Sequence, residues 1–112
     1  MPNANRNKGF GFERELVKKL NHAGLPAERC WGSNGETRGL AKDVDIVIGH
    51  NDFLLQAKRH KKLPNWLQRS PSVHATVFRE DRGETYVTVD LSTFIELYKS
   101  YKAYCEQLEG NK

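Results

Sequence analysis

Asp43-Val44-Asp45-Ile46-Val47-Ile48 is followed by Gly49-His50-Asn51-Asp52 and then by Phe53-Leu54-Leu55-Gln56-Ala57-Lys58. Two β-branched or apolar runs around a turn-forming tetrapeptide predict an antiparallel hairpin at the centre of a sheet. Strand alternation puts Gln56 and Lys58 on one face and Ala57 on the other. With the turn at 49–52, Asp45 stands about four residues before it and Gln56 about four after, so the two meet across the hairpin. Ile46, Val47 and Leu55 set this acid, amide and lysine at the edge of a core, where an unpaired charge is costly. Two readings satisfy that cost. One is an ordinary Asp–Lys ion pair across the strands. The other is a site for a hard cation and a phosphodiester, with Lys58 stabilising the charge that develops on the phosphate.

Working outward, Phe12, Leu16, Val17 and Leu20 recur at helical spacing between Phe10 and Ala23, and Gly24 with Leu25-Pro26 supplies the stop. Residues 27–31 read as a short strand, and residues 32–39, with three glycines, as an open basic loop. Pro64 is expected to open a short helix through Arg69, closed by Ser70-Pro71-Ser72. Strands are expected at 73–78 and 85–90, around the turn Glu80-Asp81-Arg82-Gly83. Thr93 and Glu96 have the spacing of a capping box, and Phe94, Leu97, Tyr98, Tyr101, Cys105 and Leu108 make the segment behind it amphipathic. The expected order is αβββαββα. It describes one α/β domain over residues 1–112, a mixed five-stranded sheet flanked by helices, with residues 1–8 as a flexible N-terminal arm.

Composition agrees with that frame. The chain has 112 residues, 38% hydrophobic and 29% charged, with five Phe, four Tyr and two Trp. That is enough for one core, with too many core aromatics for a disordered chain. No apolar run reaches transmembrane length and no secretory signal opens the sequence, so the cytoplasm is the expected location, the host's if the chain is viral. Cys30 and Cys105 lie at no metal-finger spacing and suit a reduced compartment. Residues 1–62 hold 12 basic and 7 acidic side chains, net +5, whereas residues 63–112 hold 6 and 7, net −1. A merely basic surface accounts for this, and so does one face that meets a polyanion.

The run Lys8-Gly9-Phe10-Gly11-Phe12-Glu13-Arg14-Glu15-Leu16 resembles the opening of the archaeal-type Holliday junction resolvases, members of the PD-(D/E)xK nuclease superfamily. The resemblance continues in order through Gly24, Arg29, a Ser/Gly loop, Val44-Asp45-Ile46-Val47 and Gln56-Ala57-Lys58, and it covers roughly residues 8–60. It implies a restriction-endonuclease-like fold and a Mg²⁺-dependent endonuclease, Mn²⁺ substituting, that cuts branched DNA such as a four-way junction. Position by position, it makes Glu13 and Asp45 the acidic metal ligands, Lys58 the catalytic lysine, and the Ala57 carbonyl a further ligand. Gln56 stands where the resolvases usually carry Glu; the Gln-x-Lys strand is similar to that of the Mrr-type restriction nucleases. A Gln oxygen ligates without charge. Asp43 ranks second as a source of an additional acid. The alternatives are a duplex-cleaving nuclease of a restriction or mobile-element system, and a DNA-binding module without catalysis.

Glu15 reads as a solvated helix residue. Lys8, Arg14, Arg29, Ser33 and Arg38 are candidate phosphate contacts, with loop glycines that permit close approach, against the plainer reading of a soluble loop. Arg59, His60, Lys61 and Lys62 follow the candidate catalytic lysine and are either a solvated charge run or a patch for non-specific binding of the DNA backbone. Trp31 and Trp66 either stack on an unpaired base or fill the core. Tyr98, Tyr101 and Tyr104 either pack on their own sheet or form a homodimer seam, which a two-fold junction favours. A compact nuclease of this size would suit a phage.

Overall fold

The computed structural model describes residues 4–30, 35–68 and 70–110, and of residues 4–9 it describes the backbone. The chain divides into two compact units, Met1–His60 and Lys61–Lys112.

The first unit opens with helix α1, Ala4–His22. Residues 4–8, expected in an arm, form its first turns, because between Pro2 and Gly9 no residue breaks a helix. The helix ends as Gly24 requires: its φ of 93° lets Leu25 N–H reach Leu20 C=O at 2.9 Å and Gly24 N–H reach Asn21 C=O at 3.0 Å. This is a Schellman closure, with buried Leu20 and Leu25 as its apolar pair. Strand β1, Ala27–Arg29, is tied at its start to α1 by the Asn21 side chain. The Asn21 amide accepts Ala27 N–H at 3.0 Å and donates to Ala27 C=O at 2.9 Å and to Val17 C=O at 3.0 Å.

Strand β2, Ile46–Ile48, lies between β1 and β3, Phe53–Leu55, antiparallel to both. The register pairs Arg29 with Ile46 and Ile46 with Leu55. The hairpin is thus the expected one, with its ladder shortened to three pairs. Gly49 at φ 69° and Asn51 at φ 59° make the turn. Ile46, Val47 and Ile48 are at most 1% exposed, so β2 is covered on both faces. Val47 joins Cys30 and Val44 in a cluster against which Leu40 packs. A 3₁₀ turn, Gly35–Arg38, leads into that cluster. A Cβ at Gly35 would lie 2.2 Å from Ala41 C=O and 2.9 Å from Val44 Cβ.

In the second unit the helix expected from Pro64 contracts to a single 3₁₀ turn, Asn65–Leu67. The turn ends because Gln68 is already extended, with ψ 136°; Arg69, its expected last residue, lies outside the described residues. Strands β4, Thr76–Phe78, and β5, Tyr86–Thr88, pair antiparallel, Phe78 opposite Tyr86. Helix α2, Leu91–Gly110, is capped by Asp90, whose Oδ1 accepts Thr93 N–H at 3.3 Å. The cap falls at Asp90 and not, as expected, at Thr93, since the aspartate precedes the first helical residue and takes the free N–H first.

All five strands are present, but they form two antiparallel sheets, of three and two strands, where one mixed sheet was expected. A parallel pairing needs a long crossover, usually a helix. Among the described residues, the segment between β3 and β4 supplies the 3₁₀ turn and no longer helix.

Candidate active site

Glu13 sits on the buried side of α1 with its side chain 6% exposed, an unusual position for a carboxylate. Its Oε1 lies 3.6 Å from Nε of Arg29, which leaves β1 at the other end of a long sequence separation. The Arg29 guanidinium also stands 4.9 Å over the Phe10 ring. One arginine thereby balances the acid and covers a ring three residues before it in the same helix.

Asp45 immediately precedes β2 and is 9% exposed. Its backbone is fixed on both sides: its N–H donates to Leu55 C=O at 2.9 Å, and its C=O accepts Cys30 N–H at 2.8 Å. Its carboxylate Oδ2 accepts the N–H of Ala57 at 2.7 Å. The register therefore brings Asp45 to the Gln56–Lys58 segment, which leaves β3 without further ladder pairing. The side chains of Gln56 and Lys58 are exposed. Lys58 forms no ion pair among the described residues, so the plain cross-strand Asp–Lys bridge is not what occupies Asp45.

Cys30 follows Arg29 in the chain, and its N–H is the one that Asp45 C=O accepts. The thiol is fully buried, and burial pushes its pKa up; the Arg38 charge pulls it down, and Asp45 and Glu13 push it up. Glu13, Arg38 and Asp45, from three separate segments, thus act on one sulfur. Beside it, Arg14, Arg29 and Arg38 line an open cavity of about 620 Å³ together with Val17, Cys30 and Thr37. Arg38 is itself held by Glu28. Three arginines around one concavity favour an anion.

The remaining candidates divide simply. Arg59, Lys61 and Lys62 are exposed, as is Asp43. Lys8 lies in α1, but its side chain is outside the described residues, as are Ser33 and Trp31. Among the described residues no three of His, Cys, Asp and Glu cluster as a metal site. Glu13 and Asp45 each carry hard oxygens, the donor type that suits a divalent ion retaining several waters. No helix among the described residues is long and apolar enough to cross a membrane.

A family model of the archaeal Holliday junction resolvase (Hjc) matches residues 4–98, across both units. No curated protein and no solved structure matches the chain. With its buried Glu13 and Asp45 and a family match over most of its length, the chain belongs to the archaeal Holliday junction resolvases, a family of DNA nucleases.

Proposed function

We propose that the protein is a Mg²⁺-dependent endonuclease that hydrolyses phosphodiesters in branched DNA, four-way junctions above all, with residues 1–112 working as one nuclease domain. The observation that carries this reading is the pair of buried carboxylates, Glu13 and Asp45, on separate elements of a chain whose family match extends from residue 4 to residue 98.

Glu13 and Asp45 would hold the ion, with the Gln56 side-chain oxygen and the Ala57 carbonyl completing the protein's share of the ligands. Bound there, a divalent ion supplies Lewis-acid stabilisation of the phosphate and a more acidic water. The chain's own residues do the rest. Asp45, through the Ala57 N–H, holds the segment from which Lys58 projects. Lys58, exposed and outside the ion pairs of the described residues, is available to the non-bridging phosphate oxygens, where charge develops. Arg14, Arg29 and Arg38 bind the DNA backbone in their cavity. A phosphate there competes with Glu13 for Arg29 and so links DNA binding to release of the acid. Arg59, Lys61 and Lys62 add salt-dependent affinity.

A junction with two-fold symmetry calls for two such sites, and α2 offers a seam for a second copy. Leu97, Tyr101, Tyr104 and Leu108 recur on one face and are 48–62% exposed. Tyr98, grouped with that seam on the sequence, is buried and stacked on Phe94 with ring centroids 5.8 Å apart.

The test is a labelled immobile four-way junction and a linear duplex of the same arm sequence, each with Mg²⁺ or chelator, resolved on a denaturing gel. Paired symmetric cuts in the junction alone, and only with metal, are expected. Equal cutting of the duplex would point to a restriction-type enzyme, and salt-dependent binding without product to a non-catalytic module.

A further inference from the structure

The second unit carries an aromatic cavity that the cleavage chemistry does not use. Alternation along the β4–β5 hairpin puts Phe78 and Tyr86, directly paired, on one face. Their rings stack at 5.8 Å with 27° between planes. Trp66, from the 3₁₀ turn, meets Phe78 edge-on at 4.9 Å. The three rings, with Arg79, Glu80 and Glu84, border a cavity of about 580 Å³. A miniature core would bury its outer rings, yet Trp66 is 57% exposed and Tyr86 55%. Phe78 supplies the floor while the two larger rings leave much of their surface to a ligand.

The charges around the opening narrow what that ligand is. Glu80 and Glu84 repel phosphate, so the cavity is not another site for the DNA backbone. Their carboxylates accept N–H groups, as acidic side chains do from the exocyclic amine of cytosine. Arg79 adds a donor for a ring carbonyl. None of the three is in an ion pair among the described residues. Flat aromatic surface combined with amine acceptors is the chemistry of a nucleobase held by its π-face and its edge.

We infer that the Trp66–Phe78–Tyr86 cavity binds a single unpaired nucleobase, and that it favours amino-bearing bases over thymine. This deepens the proposed reading, on which it rests, by giving the nuclease a contact with DNA whose pairing is interrupted at a branch point.

The test uses the full chain with Trp31→Phe, so that Trp66 is the sole tryptophan reporter. Its fluorescence is titrated with single-stranded dC, dA and dT oligonucleotides, an abasic strand of equal length, a duplex and a proline-rich peptide. Quenching by dC and dA, weaker with dT and absent with the abasic strand, is expected. Trp66→Leu and, separately, Tyr86→Ala should each lower the ratio of single-strand to duplex affinity at least about fivefold, the low end of what one stacked base contributes. Thermal unfolding of both variants verifies that they fold; Arg79→Ala and Glu84→Gln, exposed changes, provide the same test if they do not. Equal binding of the abasic strand overturns the inference, and quenching by the peptide alone reassigns the cavity to a protein partner. Junction cleavage by the unaltered chain is scored separately. Cleavage without base-dependent quenching removes this cavity's role and leaves the nuclease, and the converse result removes the nuclease and leaves the cavity.

Discussion

The two units treat their apolar side chains in opposite ways. Leu20, Cys30, Ile46, Val47 and Ile48, all in Met1–His60, are the largest fully buried side chains. In Lys61–Lys112 Tyr98 is the buried hydrophobic residue among those described, while Trp66, Val77, Tyr86, Val87, Leu97, Tyr101 and Tyr104 are each more than half exposed. A unit with a closed core can fix its polar side chains, because every shift disturbs close packing. One that leaves apolar surface open is built to be covered by something else. The first arrangement suits proposed catalytic acids such as Glu13 and Asp45, and the second suits recognition.

The strongest challenge to that contrast is Asp45→Asn. It keeps the side-chain oxygen facing Ala57 N–H while removing the charge. Junction cleavage is expected to fall at least about 100-fold, with junction affinity retained in a gel-shift assay. Unchanged cleavage would remove the active site from the first unit altogether. Next in size is the packing difference itself. Leu20→Ala should cost about 2–5 kcal/mol in urea unfolding, as for other fully buried leucines, whereas exposed Val77→Thr should change stability by under about 0.5 kcal/mol. Comparable destabilisation by the two changes would show that the second unit is buried in solution.

Thiol labelling sharpens the same comparison without a mutation. Cys30 is fully buried with its pKa raised, so its thiolate fraction is depressed at pH 8 and grows only at higher pH, whereas Cys105 is partly exposed. Iodoacetamide is expected to modify Cys105 first, with Cys30 reacting only on denaturation, as mass spectrometry of peptides would show. The smallest effect belongs to the basic run. Replacing Arg59, Lys61 and Lys62 by Ala should flatten the dependence of log K on log salt by about 0.9 for each phosphate that the variant leaves unneutralised, measured by fluorescence anisotropy on duplex DNA.

The parts of this architecture that were legible in the sequence are those encoded locally. Gly24 marked the end of α1, and Gly49–Asp52 set the hairpin register that brings Asp45 to Ala57. What escaped the sequence reading depends on meetings between distant segments. No periodicity announces that Arg29 pairs with Glu13, or that Arg14, Arg29 and Arg38 share one concavity. The helix expected after Pro64 stops early because Gln68 is already extended, and with it goes the helical crossover that a single sheet usually uses. The N-cap was misplaced because Thr93 and Glu96 have the right spacing, while Asp90 is nearer the free N–H groups.

The amide of Asn21 has a chemical lifetime. It donates to two carbonyls and accepts one N–H where α1 meets β1. Deamidation would swap its donor for an oxygen anion pointed at Val17 C=O and Ala27 C=O, turning two attractions into repulsions. A molecule carrying aspartate there would therefore lose the seam that sets the start of β1, and with it the position of Arg29, with every peptide bond intact. A one-dalton mass gain at this residue would report that loss.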